Sequence, residues 1–264
     1  MHFAFKSVIV TNAVNKKIYF YGGNMEKITG KPSIDKPWLK YYLEDDFYKK
    51  CPSMSMYEYL YEKNKNNLNM TALNYFGNKI TFRQLFKNID IAYQKYTNLG
   101  INEKDTVSIC GVCTPEIVYT IYALNRLGAR INMIDPRSSS DVILEYMRMS
   151  NSNNLIIIDK LSHLTKDFHQ IIKLNNIVEL SVADSLPFSL RIMANIKNKR
   201  NEYMLNYKDI KIKKEYEYSA KRRVGDEAVV VYTGGTTGKP KGVVLTNDNF
   251  NNMSHQYGYS NFGV

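Results

Sequence analysis

Residues 228–247 read AVVVYTGGTTGKPKGVVLTN, and the order of residue types in them decides how the chain is built. Two β-branched apolar runs, 228–231 and 243–245, flank a stretch made almost wholly of Gly, Thr, Lys and Pro. That composition predicts strand, loop, strand. Gly234, Gly235, Gly238 and Gly242 carry no Cβ, so the backbone is free to take positive φ and to bring its N–H groups close to an anion. Thr233, Thr236 and Thr237 add hydroxyl donors, Lys239 and Lys241 add positive charge on flexible stems, and Pro240 stiffens the chain between the two lysines. A polyphosphate is the ligand class that uses all of these groups. The P-loop of nucleotide triphosphatases is the obvious rival, and it fails on three counts. Gly238-Lys239 is followed by Pro240 instead of Ser or Thr, the position five before Gly238 is Thr233, and the residues after Gly242 read as a strand rather than a helix. The plain alternative, a surface hairpin merely rich in Gly and Thr, leaves this run of fitting residues to chance.

Upstream of the loop, strand and helix signals alternate. Thr81 with Gln84 three residues later forms a capping box for a helix whose apolar stripe is Phe82, Leu85, Ile89, Ala92, Tyr96 and Leu99, closed by Gly100. Residues 106–110 read as a strand, Thr114 and Pro115 as the cap and first turn of a helix reaching Leu127, and 131–134 as the next strand. A turn at Asp135-Pro136, a helix over 141–149, a strand over 155–158, a helix over 163–174 and a strand over 177–182 complete the series. Before it, Tyr57, Leu60 and Tyr61 suit a short helix and 72–75 a strand; after it, 248–256 reads as a helix. Alternation of this kind predicts an α/β fold with a parallel sheet and flanking helices.

Composition narrows the function classes. Of 264 residues, 44% are hydrophobic and 23% charged, the balance of an ordinary soluble chain. No apolar run is long enough to span a membrane. The net charge of +11 invites a nucleic-acid reading, with basic clusters at 197–200, 211–214 and 221–223. The positive charge is spread along the chain and no nucleic-acid module signature is present, so solvated lysines that attract anionic substrates account for it. Cys110 and Cys113 form a CxxC between a strand and a helix, where a redox pair would sit. Cys110 falls among buried strand positions, so it reads as small apolar filler, and three cysteines in all suit a reducing compartment, the cytoplasm. His163 and His169 lie six apart on one predicted helix and so on different faces, His2 and His255 have no carboxylate or Cys neighbours at ligand spacing, and no second CxxC is present to complete a zinc site; no metal site made of side chains is expected.

The run YTGGTTGKPKG at 232–242 resembles the signature loop of the adenylate-forming superfamily, which includes acyl-CoA synthetases, luciferases and the adenylation domains of peptide synthetases. The family's usual Ser is replaced by Gly234, at the loss of one hydroxyl. ITFRQL at 80–85, LGINEKDTV at 99–107, LNRLGA at 124–129 and NMIDP at 132–136 are similar to further family motifs. MEKITGKPSIDKPWLKYYLEDDF, which opens at Met25, is similar to the start of some bacterial ligases. The resemblance therefore implies an AMP-binding domain over 25–264, incomplete, preceded by an extension over 1–24. It implies the N-terminal part of the large domain of an adenylate-forming enzyme, truncated, because the family's adenine motif, ribose-binding Asp and late adenylation Lys belong beyond Val264.

The activity implied is ATP-dependent adenylation of a small-molecule carboxylic acid followed by thioester formation, with Mg²⁺ carried on ATP and CoA as acceptor. Thr233, Gly234, Gly235, Thr236, Thr237, Gly238, Lys239, Lys241 and Gly242 would hold the phosphates, with Lys241 and Thr237 in the catalytic roles. On this reading the chain alone shows no carboxylate-dependent pyrophosphate exchange, and surface left uncovered drives self-association. Two alternatives stay open: a non-catalytic ATP-binding remnant or partner-dependent half, and the amino-acid adenylation domain of a peptide synthetase. NMIDPR at 132–137 leans toward acyl-CoA ligases.

Overall fold

The β-branched runs separated by capped helices assemble as the alternation predicts. The computed structural model describes residues 29–41, 51–194, 203–212, 226–234 and 240–259. The proposed boundary at Met25 and the basic clusters 197–200 and 221–223 lie outside these residues. The chain divides into two units, Met1–Pro52 with Asn251–Val264, and Ser53–Phe250. In the first, the Asp35 carboxylate accepts from the Thr29 and Gly30 N–H groups and the Thr29 hydroxyl, closing a loop onto the short helix α1 (Pro32–Asp35). These bonds hold the exposed Asp35 carboxyl below its ordinary range.

The second unit begins with helix α2 (Met56–Asn64), capped by Ser55 with Glu58 in a reciprocal capping box. Strands β1 (Thr71–Tyr75) and β2 (Asn78–Thr81) form a separate antiparallel hairpin. Its turn places both Phe76 (φ 50°) and Gly77 (φ 90°) in the left-handed region, a pairing typical of two-residue hairpin turns. Phe is strained there and stands 69% exposed, which is why the hydrophobic pattern gave no sign of β2. Helix α3 (Phe82–Asn98) follows with the expected Thr81–Gln84 capping box.

Then come β3 (Thr106–Cys110), α4 (Pro115–Leu127), β4 (Arg130–Ile134), α5 (Ser140–Met149) and β5 (Asn154–Ile158). Thr114 caps α4 by accepting from the Ile117 N–H, and Gly128 ends it at φ 81°. The helix expected over 163–174 is instead a 3₁₀ segment, Asp159–Thr165, and a one-turn helix α6 (Phe168–Ile171). The Ser162 and Thr165 hydroxyls donate to the carbonyls of Asp159 and Ser162, three residues back. Such local side-chain bonds compete with a regular helix. Strand β6 (Asn176–Leu180) stops two residues short of the expected end, where the Ser181 hydroxyl turns to donate to Asp159. Helix α7 (Phe188–Ala194) and the two-residue strand β7 (Leu205–Asn206) precede strands β8 (Glu227–Tyr232) and β9 (Gly242–Thr246) and helix α8 (Asn247–Tyr259).

The main sheet has seven strands in the order β7-β6-β5-β3-β4-β8-β9, parallel throughout except that β9 runs antiparallel to β8. Every residue of β3 and β5 is buried, the pattern of central strands covered on both faces. Val107, Ile109, Ile131, Ile156 and Ile158 pack with α3 and α4 on one face. Cys110, Ile134, Leu155 and Ile157 pack with α5 and Phe168 on the other. No described helix is long and apolar enough to cross a membrane.

Candidate functional site

The glycine-rich run sits where the sheet turns back on itself. Strands β8 and β9 pair with Tyr232 opposite Gly242 and Val231 opposite Val243. Beyond that pair the Thr233 N–H donates to the Lys241 carbonyl at 3.1 Å, which closes the neck of the loop. Thr233, Gly234 and Lys241 are thereby brought together, all exposed. Gly235, Thr236, Thr237, Gly238 and Lys239 lie outside the described residues.

The described glycines of the loop serve in a way that their composition did not indicate. Neither Gly234 nor Gly242 adopts positive φ. Gly234 has open space where a Cβ would stand. At Gly242 a Cβ would come within 3.1 Å of Val230 Cγ1 and 3.3 Å of Tyr232 Cε1, so the missing side chain makes room for the Tyr232 ring.

That ring begins a buried polar line. Tyr232 stacks on Tyr146 of α5 with ring centroids 3.7 Å apart and planes within 6°. Its hydroxyl donates to Asn132 Oδ1 at 2.8 Å. Asn132 Nδ2 in turn donates to Ser108 Oγ at 2.8 Å and to the Tyr146 carbonyl at 3.3 Å. The Ser108 N–H donates to Ser152 Oγ, whose hydroxyl bonds back to the Thr106 carbonyl. Ser108 and Asn132 are wholly buried and Ser152 nearly so. Burial raises the Tyr232 phenol above its ordinary range, so it stays protonated and able to donate. The residue before Thr233 is thus tied across β4 and β3, and a polar network that is satisfied in this way fixes geometry.

The other end of the hairpin is braced too. Asn247, fully buried, accepts at Oδ1 from Asn125 Nδ2 (2.8 Å) and the Met56 N–H (3.2 Å), while Asn125 Oδ1 accepts from the Tyr57 N–H (3.0 Å). Two side-chain amides thus satisfy the first N–H groups of α2 that lack partners within the helix. Arg130 of β4 pairs with Glu227 at the start of β8. Neither the polar line nor this brace was foreseen from the sequence. The available signal was a polar residue at an inward position of an apolar strand, Ser108 in TVSIC and Asn132 in RINMI.

The remaining candidates do not join the loop. Burial, with Asp135 nearby, pushes the Cys110 thiol up to about 12, a value that keeps it protonated and unreactive at neutral pH. Cys113 is exposed, and neither it nor Cys51 or Cys110 is in a disulfide. His163 lies in the 3₁₀ segment and His169 in α6, where it stacks on Tyr203 at 4.0 Å, so they do not share one helix. Asp135 and Arg137 pair with each other, which holds the Asp135 carboxyl below its ordinary range. At the end of β3 a Cβ on Gly111 would meet Ile158 Cγ2 at 2.8 Å, so this strand end closes tightly against β5.

Residues 60–263 match the family described as AMP-binding enzyme. A long-chain-fatty-acid–CoA ligase of Bacillus subtilis (strain 168) is 25% identical over 227 residues, which cover 81% of this chain and 40% of that protein. A 4-chlorobenzoate–CoA ligase of an Arthrobacter species is 28% identical over 172 residues, 64% of this chain and 28% of that protein. The crystal structure of a long-chain-fatty-acid–CoA ligase from Archaeoglobus fulgidus is similar at a TM-score of 0.64 with 19% identity, covering 80% of this chain and 40% of that one. The chain therefore spans well under half the length of the relatives it matches.

Proposed function

We propose a role in ATP-dependent carboxylate activation for this chain, which belongs to the AMP-binding enzyme family. The reaction is formation of an acyl-adenylate and its transfer to a thiol, for which CoA is the acceptor suggested by relatives named as CoA ligases. The observation that supports the reading is the hairpin neck, where the Thr233 N–H bond to the Lys241 carbonyl brings the backbones of a hydroxyl-bearing and an ammonium-bearing residue together at the end of β8.

In the first step a carboxylate oxygen bonds to the α-phosphorus of ATP as the bond to the bridging oxygen breaks, and pyrophosphate leaves with the displaced electron pair. Charge builds on the departing phosphates, and donors already aimed at that region lower the barrier without reorganising. Thr233, Thr236 and Thr237, with the N–H groups of Gly234, Gly235, Gly238 and Gly242, would hold phosphate oxygens, while Lys239 and Lys241 would supply charge. Thr237 and Lys241 take the roles nearest the reacting phosphates. Mg²⁺ would arrive on ATP, neutralising phosphate charge with few protein ligands. In the second step the thiol sulfur attacks the acyl carbon and AMP leaves. Residues 25–264 are read as the AMP-binding domain and 1–24 as an extension. Three cysteines, none of them in a disulfide, support a cytoplasmic setting.

Calorimetric titration of the chain with Mg²⁺-ATP tests this. Binding is expected, weakened about tenfold by Lys241→Ala, the loss of one charge-assisted contact to phosphate. Absence of ATP binding, or an unchanged affinity in the variant, would overturn the assignment.

A further inference from the structure

Strand β8, which leads into the candidate phosphate loop, is gripped by one helical turn, the end of α5 from Tyr146 to its cap Ser150. At the start of β8, Glu227 pairs with Arg130, whose guanidinium also donates to the Ser150 carbonyl at 3.3 Å and to Thr106 Oγ1 at 3.1 Å. At the loop end, the Tyr232 hydroxyl that donates to Asn132 also lies 3.2 Å from the Tyr146 carbonyl. That carbonyl accepts from the Ser150 hydroxyl at 2.8 Å and from the Ser150 N–H at 3.1 Å. The same turn thus meets both ends of the strand.

The ring contact falls where the ladder gives out. On the β4 side, β8 is paired only at Val229, opposite Ile131, and at Val230, opposite Asn132. The end of the strand is held on that side by side chains. Tyr146 is 8% exposed, and its ring lies face to face with that of Tyr232, centroids 3.7 Å apart. Tyr232 is the residue before Thr233, so a shift of the Tyr146 ring or carbonyl moves the first residue of the loop. Directed contacts of this kind fix a position that apolar packing alone leaves open.

We infer that Tyr146 is a positioning residue of the candidate phosphate loop, which acts through Tyr232 and sets where Thr233 stands. The inference rests on the reading of the hairpin as an ATP site. It adds that the loop and the last turn of α5 are one unit, so that what occupies the loop is felt in the helix and the reverse.

Calorimetric titration with Mg²⁺-ATP, thermal melts and amide hydrogen exchange, all on the full chain, test this coupling. Tyr146→Leu keeps an apolar side chain at a buried site and loses the ring; it is expected to weaken ATP binding about fivefold, the worth of one aromatic pair. Tyr146→Phe keeps the ring and should bind as the parent does. Ile109→Ala, on the other face of the sheet, should melt lower than the parent and bind ATP equally well. In the parent chain, saturating ATP should slow amide exchange over residues 147–150 about threefold and leave α3 unaffected, a readout that does not depend on the folding of any variant. A parent chain that fails to bind ATP overturns the reading of the hairpin and the role of Tyr146 with it. Binding by the parent that Tyr146→Leu leaves unaltered overturns the role alone. So does an equal loss in Tyr146→Phe, or in Ile109→Ala, where affinity would simply follow overall stability. Exchange over 147–150 that bound ATP leaves unchanged overturns it as well.

Discussion

Ile109 and Ser108 are neighbours on one strand, yet they face two different interiors. On the side of Ile109 the sheet meets α3 and α4 through an apolar cluster that extends from Phe82 to Val229. On the side of Ser108 the smaller cluster under α5 is crossed by hydrogen bonds from Ser152 through Ser108 and Asn132 to Tyr232. Apolar contact is non-directional, so the first face supplies stability without dictating which atoms must meet. Hydrogen bonds in a buried line do dictate it, since each unmet group is costly. The face that is poorer in apolar contact is the one that leads to Thr233 and the candidate phosphate loop.

Substitution on each face can break this division. Ile109→Ala, at a wholly buried site in the larger cluster, is expected to cost about 3–4 kcal/mol in urea unfolding and to leave ATP affinity unaltered. A cost below about 1 kcal/mol would mean that the apolar face tolerates a void and does not dominate stability. Asn132→Leu keeps the size of the side chain but leaves Ser108 Oγ without its donor and the Tyr232 hydroxyl without its 2.8 Å acceptor. Its expected cost is smaller, about 2 kcal/mol. If the variant proves as stable as the parent, the polar line does not hold the hairpin.

The same division explains what could be read in advance. Helices with self-contained signals were legible: Thr81 with Gln84, and Thr114 with Pro115, mark ends that depend on three or four adjacent residues. The parallel sheet followed from the order of elements, and the hairpin neck from the type and order of residues 228–247. What stayed hidden depends on residues distant in sequence or on strained backbone. Ser108 meets Asn132 because β3 and β4 pair in that register, and Tyr232 reaches Asn132 across a separation of 100 residues. Asn247 meets Met56 across 191. Phe76 at φ 50° defied the usual preference for Gly or Asn, so β2 went unread.

Smaller changes sharpen the contrast. Tyr232→Phe removes one hydroxyl and retains the ring stacked on Tyr146, so about 1 kcal/mol should be lost. Because the change abuts Thr233, a few-fold loss of ATP affinity is expected with it, and calorimetry beside a thermal melt separates the two effects. Equal affinity in both proteins would show that the polar line ends at the sheet and does not reach the loop.

The apolar face has a charged intrusion at its rim, Glu116 in the first turn of α4. It is only 7% exposed, its Oε1 accepts the Ser185 hydroxyl, and burial raises its carboxyl above the ordinary range despite that bond. The folded state therefore holds this proton more tightly than the unfolded state does. Its contribution is most favourable below the ordinary carboxylate value of 4.5 and declines as pH rises through the folded value. Glu116→Gln removes the titration and keeps an acceptor for Ser185, so the variant should gain about 0.5 kcal/mol over the parent at neutral pH. That advantage should vanish toward pH 4. Thermal melts from pH 4 to pH 8 decide the matter: a gap between the proteins that widens with pH fits a carboxylate confined at the rim. A gap that is constant, or that favours the parent at neutral pH, would mean that the helix N-terminus stabilises the ionised form enough to offset its burial.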